Sequence, residues 1–527
     1  MPGLKGRLKL IFLSPILGVA LAILVCLLIA GYSLWYTSGG NFPAFPKLGK
    51  DNYYIDLAEA FLHGQLSMLK EPQPELMALE NPYNPKERRG IPYQFDYSYY
   101  RGKYYLYWGP VPGLVLAGIE GVTQTRPPNI LMTVISYIGL TFLFLVTLIQ
   151  IRNQFFPAAP ELSLGILVLG GLVNIPFLFL LGRPEVYETS IMAGQLFLFL
   201  GLASWTIYMA TASPAWLAIT GLGWGLAVGS RYDLAISALL FVGQIIIWIG
   251  TEAKWKNFWS KLCLLLIPFA GCVLGLGIYN FARFGNPLET GLTYQLTVPI
   301  QHYFLISYLP ANFYAYFFYP LTVANKFPFI GISLFGNAML PAWFEASSAT
   351  PGKLFDPVMA GLFPSSPTLW LLALSVPLTA ILWRSYFRYR PALTKRFVFF
   401  MLILVGGAAQ LLVVLVYYYG AMRYAADFYL LLTVTVAMLA WRIDEMLQPT
   451  PRLRICFWIV VAGLALSTAG IGFFGGFDVP PRIFHSYSPA LYSRLSSYWD
   501  HRFQNLKAIV DALWIPRILH FILHAVS

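Results

Sequence analysis

Four short motifs place an arginine two to six residues from an acid in an otherwise apolar chain. They are Gly182-Arg183-Pro184-Glu185-Val186-Tyr187-Glu188, Gly229-Ser230-Arg231-Tyr232-Asp233, Ala282-Arg283-Phe284-Gly285-Asn286-Pro287-Leu288-Glu289 and Ala421-Met422-Arg423-Tyr424-Ala425-Ala426-Asp427. Ionisable side chains near hydrocarbon cost about 2.5–3.5 kcal/mol at the centre of a span, so repeated use points to a shared polar cavity. Any one motif reads equally well as an arginine and acid pairing locally to cap a span. All four fall where apolar stretches meet the same predicted face, which favours one site. Arg231 suits a phosphate, because the guanidinium fork matches phosphate oxygens. Its break, between two short apolar stretches, is similar to the discontinuous spans that line binding sites.

The acids Asp51, Asp56, Glu59 and Asp96 stand between the first and second apolar stretches. Asp51 reads as a helix N-cap, and Asp56 and Glu59 share one helix face. Asp96, among Tyr93, Phe95, Tyr97, Tyr99 and Tyr100, orients a substrate hydroxyl or pairs with Arg101. His63 and His302 are isolated. Metal-ligand spacing, Gly-rich phosphate loops and Ser-His-Asp signals are absent from the sequence. No cofactor is required, no metal ligand is assigned, and a divalent metal stays open.

The elements that must carry these residues are membrane spans. Of 527 residues, 58% are apolar and 11% charged, which argues against a soluble globule. Stretches long enough for a bilayer predict an all-α polytopic protein with about eleven transmembrane helices, including 162–181, 216–229, 234–250, 369–383 and 397–417. The net charge of +12 is not a nucleic-acid footprint. Its basic runs (Lys5, Arg7, Lys9; Lys254, Lys256, Lys261; Arg384 to Arg396; Arg442, Arg452, Arg454) all fall on one side when the N-terminus is inside. That places the arginine motifs on the exoplasmic face of what reads as a bacterial cytoplasmic membrane. The four cysteines lie in or beside apolar spans and read as packing residues.

The chain reads as one membrane domain. Residues 1–36 form an anchor span and 37–129 a first exoplasmic loop. A transmembrane core (130–281), a second large loop (282–367), C-terminal spans (368–475) and a tail (476–527) follow. In the first loop, a helix is expected from Asp51 to His63, a turn at Tyr100-Arg101-Gly102-Lys103, and an interfacial segment from Trp108 to Val122. A basic patch at Lys86, Arg88 and Arg89 follows a Pro-rich stretch. Residues 512–526 read as an amphipathic surface helix.

This arrangement resembles the GT-C superfamily of integral-membrane glycosyltransferases, in its protein mannosyltransferase and aminoarabinose transferase branch. Asp51-Asn52-Tyr53-Tyr54-Ile55-Asp56 resembles the family's Asp-Glu-x-x-Tyr opening, with Asn52 in place of Glu. Lys103-Tyr104-Tyr105-Leu106-Tyr107-Trp108-Gly109-Pro110 is similar to its Lys-Pro-Pro-x-x-x-Trp stretch, and Gly225 to Arg231 to its Gly-Leu-Ala-x-x-x-Lys break. The resemblance implies inverting transfer of a sugar from a polyprenyl-phosphate donor to a glycan, lipid or protein acceptor. Asp51 is then the general base and Asp96 a positioning acid, with Asp56 and Asp96 standing as the other candidates for the base. Arg231, Arg183 and Arg423 would bind the donor phosphate, supported by Tyr54, Asp56, Glu185, Glu188 and Arg283. A flippase for lipid-linked glycans and a non-catalytic envelope scaffold are the competing readings. Broken spans and buried charge suit the flippase too, but it predicts related halves, which the sequence lacks.

Overall fold

A computed structural model of the chain describes residues 15–46, 53–252, 255–297, 303–334, 353–374 and 395–505. The expected surface helix at 512–526 and Asp51 lie outside these. The described chain is mostly helical. Helix α1 (Pro15–Thr37) precedes a short α2 (Tyr53–Leu62), a hairpin of β1 (Ser98–Tyr100) and β2 (Lys103–Tyr105), and α3 (Val111–Thr123). Then come α4 (Leu131–Phe155), α5 (Leu162–Leu172), α6 (Ile175–Gly182), α7 (Val186–Thr211), α8 (Ala215–Ser230), α9 (Leu234–Glu252) and α10 (Trp255–Phe284). Helix α11 (Leu309–Phe318) follows, then β3 (Leu354–Phe355), α12 (Lys395–Leu415), β4 (Tyr419–Gly420), α13 (Ala426–Leu447) and α14 (Pro451–Gly476).

Among the described residues, six helices are long and apolar enough to cross a bilayer: Ile16–Thr37, Leu131–Phe155, Val186–Thr211, Asn257–Phe284, Met422–Leu447 and Pro451–Gly476. The pair α5 and α6, bent by 55°, makes up to seven. The protein is an integral membrane protein, and the expected eleven spans are not reached by this measure. The 216–229, 234–250 and 397–417 stretches do form apolar helices, but shorter ones. The 369–383 stretch lies partly outside the described residues, and its described part falls in the 3-10 helix Pro367–Leu374.

Packing follows burial. α13 is apolar on nearly every face, and its apolar stretch is 94% buried, so it forms the centre. α10, at 17%, turns most of its surface outward. Small residues let backbones meet, as expected where lipid supplies no hydrophobic drive between helices. A Cβ on Gly223 of α8 would sit 2.6 Å from the Gly201 nitrogen of α7, and one on Gly221 would sit 2.0 Å from the Leu265 carbonyl of α10.

The break between α5 and α6 has a local cause. The Asn174 side chain accepts from the Phe177 amide at 3.1 Å, and Pro176 occupies the first turn of α6. This cap starts a new helix in mid-span and delivers Arg183 at its far end. At the opposite end of the bundle, Asp444 of α13 holds Arg454 through two contacts of 2.6 and 2.8 Å. Seventeen residues separate it from Asp427, or about 25 Å of helix.

Two irregular segments close over the other end. The β1–β2 turn has φ of 48° at Arg101 and 73° at Gly102, the left-handed pair of a tight two-residue hairpin. Ser98 bridges Gln295 in antiparallel fashion, and Arg88 donates to the Leu296 carbonyl at 2.6 Å. The first loop and residues 291–297 are thus one knitted layer. β3 runs parallel to β4 and carries Asp356 to the start of the Arg423 motif.

Candidate functional site

Under this layer lies a cavity of about 860 Å³. Asp96, Arg183, Glu185, Arg231 and Arg423 line it, together with Tyr53, Tyr107, Trp108, Tyr187, Tyr424 and Asp356. Phe304, Val413 and Val414 form an apolar part of its wall. Three of the four arginine motifs therefore meet here, contributed by the end of α6, the end of α8 and the approach to α13.

Each arginine is held differently. Arg231, 5% exposed, places Nη2 2.6 Å from Asp427 and Nε 3.0 Å from Asp233. Its guanidinium lies 5.9 Å from the Trp108 ring and 5.2 Å from the Tyr424 ring. Arg423 lies 5.3 Å from the Tyr424 ring and 4.4 Å from the Tyr187 ring, and its Nη1 is 3.4 Å from Glu188 and 3.3 Å from Asp356. Both guanidiniums therefore approach the Tyr424 ring, a desolvated cation–π arrangement that helps hold both head groups. Arg183 is the most open: it pairs with Glu185 at 3.1 Å and keeps 31% of its side chain exposed. Carboxylates outnumber guanidiniums in and directly behind the cavity, since Asp96, Glu185, Glu188, Asp233, Asp356 and Asp427 face three arginines. No group of three metal-ligating side chains occurs among the described residues.

Asp96 is the best-positioned acid. Its backbone takes a φ of 55°, a left-handed conformation that costs about 1–3 kcal/mol for a non-glycine residue and concentrates at functional sites. The Asp96 amide donates to Thr297 Oγ1 at 2.9 Å. Oδ2 accepts from the Tyr187 hydroxyl at 2.6 Å, and Oδ1 accepts from Gln295 Nε2 at 3.1 Å. Burial raises its pKa above the ordinary carboxylate value, while Tyr187, Arg423 and Gln295 pull the other way and Glu185 adds to the rise.

The other described candidates, Tyr54, Asp56, Glu188 and Arg283, do not line the cavity. Asp51 falls outside the described residues, although Tyr53, two positions on, lines the cavity. Asp56 pairs with Arg126 at 2.8 Å beside Glu59, on a separate pocket of about 340 Å³. Glu188 is fully buried behind Arg423. Arg283 donates to the Leu106 carbonyl and to Asn280 Oδ1 and lies against the Tyr279 ring, which anchors the strand leading to Trp108. Tyr54 donates to the Gly109 carbonyl at 3.2 Å. Gly109 itself touches the end of α8: a Cβ there would lie 2.2 Å from the Gly229 carbonyl oxygen. Sequence reading missed Gln295 and Asp356, which no motif spacing marks. It also did not single out Tyr107, Tyr187, Tyr424 or Asp427, although all four stand inside quoted motifs.

No protein-family model and no curated protein sequence matches the chain. Among solved structures, it is similar to the Archaeoglobus fulgidus oligosaccharyltransferase in the apo form, at 12% identity and a TM-score of 0.48. That match covers 86% of this chain and 56% of the other, so the chain spans little more than half its length. It is similar to oligosaccharyltransferase AglB of the same archaeon in complex with an inhibitory peptide and a dolichol-phosphate (13%, TM-score 0.45, 86% and 55% covered). ArnT from Cupriavidus metallidurans, bound to undecaprenyl phosphate, is similar at 11% identity and a TM-score of 0.41, with 88% and 76% covered.

Proposed function

We propose that the protein transfers a sugar from a polyprenyl-phosphate donor to an acceptor hydroxyl at the exoplasmic face, with inversion at the anomeric carbon. The observation that carries this reading is the meeting of Asp96 with Arg183, Arg231 and Arg423 in one cavity that also has an apolar wall. A donor of this kind is half hydrocarbon and half anion, and both surfaces are present. Asp51 takes the acceptor's proton as its oxygen bonds to the anomeric carbon. The bond from that carbon to the phosphate oxygen breaks, and polyprenyl phosphate departs with the electron pair. The arginines offset the charge that builds on the leaving phosphate. Arg183 meets it first, because its head group is the least enclosed. Asp96 positions a substrate hydroxyl. Lys261, Arg442, Arg452 and Arg454, at the helix ends away from the cavity, support a cytoplasmic N-terminus, and a bacterial cytoplasmic membrane is the proposed setting.

The test is transfer by purified protein in lipid nanodiscs, with radiolabelled phosphoprenol sugars and a panel of lipid, glycan and peptide acceptors. Folded wild-type protein turns over. Asp51→Asn binds donor and loses transfer, and an Asp51→Asn rate equal to wild type removes that base assignment. Folded wild type without transfer removes the enzyme reading. Because carboxylates outnumber arginines, chelation is the necessary control. EDTA leaves the rate unchanged if side chains alone carry the chemistry, and a loss of rate assigns part of it to a divalent cation.

A further inference from the structure

Four cavity side chains form a closed ring of hydrogen bonds, and counting its hydrogens defines what ligand completes it. The Tyr187 hydroxyl has one hydrogen, donated to Asp96 Oδ2 at 2.6 Å. The Tyr107 and Tyr187 hydroxyls are 3.3 Å apart, and since the Tyr187 hydrogen is committed, Tyr107 donates to Tyr187. Gln295 Nε2 has two hydrogens, and its two contacts are Asp96 Oδ1 and the Tyr107 oxygen, each at 3.1 Å. The carboxylate only accepts, which fixes the amide orientation. Every donor hydrogen of the quartet is therefore spent within it. What it offers the cavity is acceptors alone: carboxylate lone pairs, the Gln295 Oε1 and the free lone pairs of two phenols.

Building on the sugar-transfer reading, we infer that Asp96, Tyr107, Tyr187 and Gln295 form a hydroxyl-reading subsite, which accepts hydrogen bonds from sugar hydroxyls and rejects groups that only accept. The count holds while Asp96 is charged. The groups around that carboxylate are Tyr187 and Glu185 at the start of α7, Arg423 before α13, Tyr107 after β2, and Gln295. Burial keeps the Tyr107 phenol protonated, well above its ordinary value. Two features hold Gln295 in register: the bridge between it and Ser98, and the clamp of Arg88 on the Leu296 carbonyl. Arg88, from the otherwise unassigned basic patch, is a positioning residue for this ring.

The experiment measures binding, so that it stands apart from turnover. Purified protein in nanodiscs is titrated with glucosyl, mannosyl and galactosyl phosphoprenol, with bare phosphoprenol, and with the corresponding methyl glycosides. Each sugar is also supplied in monodeoxy and monofluoro form, since fluorine does not donate. At one ring position, replacing the hydroxyl by hydrogen or fluorine weakens wild-type binding by about tenfold or more. Gln295→Leu cuts that factor below about threefold and leaves bare phosphoprenol binding unchanged. If Gln295→Leu loses bare phosphoprenol as well, Tyr107→Phe supplies the same comparison. An effect confined to phosphoprenols assigns the hydroxyl to the donor, and one confined to methyl glycosides assigns it to the acceptor. The inference fails if no sugar probe shows a deoxy penalty, or if the penalty survives both variants. A penalty seen in a protein that transfers no sugar keeps the subsite and removes the transfer reading.

Discussion

Replacing Arg231 by methionine strands a carboxylate where no water reaches it. Asp427 has a fully buried side chain, and its Oδ2 lies 2.6 Å from Arg231 Nη2. Removing one member of such a pair costs about 3–5 kcal/mol, because the surviving charge stays desolvated. Two features set the size within that range. Asp427 lies in the first turn of α13, where the helix dipole returns about 0.3–1 kcal/mol. Asp233, the second partner, keeps 23% of its side chain exposed, so water screens it and its loss adds little. Arg231→Met therefore destabilises by about 3 kcal/mol or slightly more. The double substitution Arg231→Met with Asp427→Leu regains most of this, because apolar replacements of buried pairs are close to neutral. Unfolding titrations in mixed micelles measure both. Transfer is lost in single and double alike, which separates the structural from the chemical role of Arg231. A loss below about 1 kcal/mol in the single variant, or a double no more stable than the single, refutes the reasoning.

Arg183→Gln behaves differently. Its ion pair with Glu185 is about one-third exposed, so unfolding shifts by less than about 1 kcal/mol, while transfer falls by about 10²–10³-fold. Asp96 gives a pH signature. Its folded pKa lies above the ordinary value of about 3.9, so the native state binds its proton more tightly than the unfolded chain. Stability is highest below the ordinary value and declines as pH rises through the window up to the raised one. Asp96→Asn loses that slope in pH-dependent unfolding, whereas wild-type sugar binding strengthens as pH rises through the same window. Lys353, buried against the Phe355 ring with Nζ donating to the Leu354 and Tyr418 carbonyls, is pushed down to about 6 by desolvation. The unfolded chain therefore binds more protons from about pH 6 up to the ordinary lysine value, and stability rises with pH across that range. Lys353→Met is more stable than wild type at pH 7, and the gap narrows towards pH 10.

Local structure was legible where its cause is local. The helix near Asp51 appears as α2, the Arg101-Gly102 turn as a tight hairpin, and the Trp108–Val122 segment as α3. The arginine positions stood out because charge is conspicuous in an apolar chain. Their partners did not. Arg183 and Arg231 keep their local acids Glu185 and Asp233, but Asp427 of the Arg423 motif pairs with Arg231, and Glu188 of the Arg183 motif pairs with Arg423. Such exchanges depend on which helix ends are neighbours, and spacing within one motif carries no information about that. Asp356 reaches Arg423 only through the β3–β4 pairing, and Gln295 reaches Asp96 only through a bridge to Ser98. The α5–α6 break did have a signal, since Asn174-Ile175-Pro176 is a helix start inside an apolar run.

The contact between Gly109 and the Gly229 carbonyl leaves no room for a side chain between the loop bearing Trp108 and the helix end bearing Arg231. Those two walls are welded main chain to main chain, so neither can tilt without the other. In the proposed reaction, substrates of different girth must then be admitted by the part of the lining not tied to that wall, where residues 303–304 and 356–358 contribute. Under the proposed transfer, variation in what the protein accepts would therefore be written on that other side, while the Trp108–Arg231 wall stays a fixed anvil.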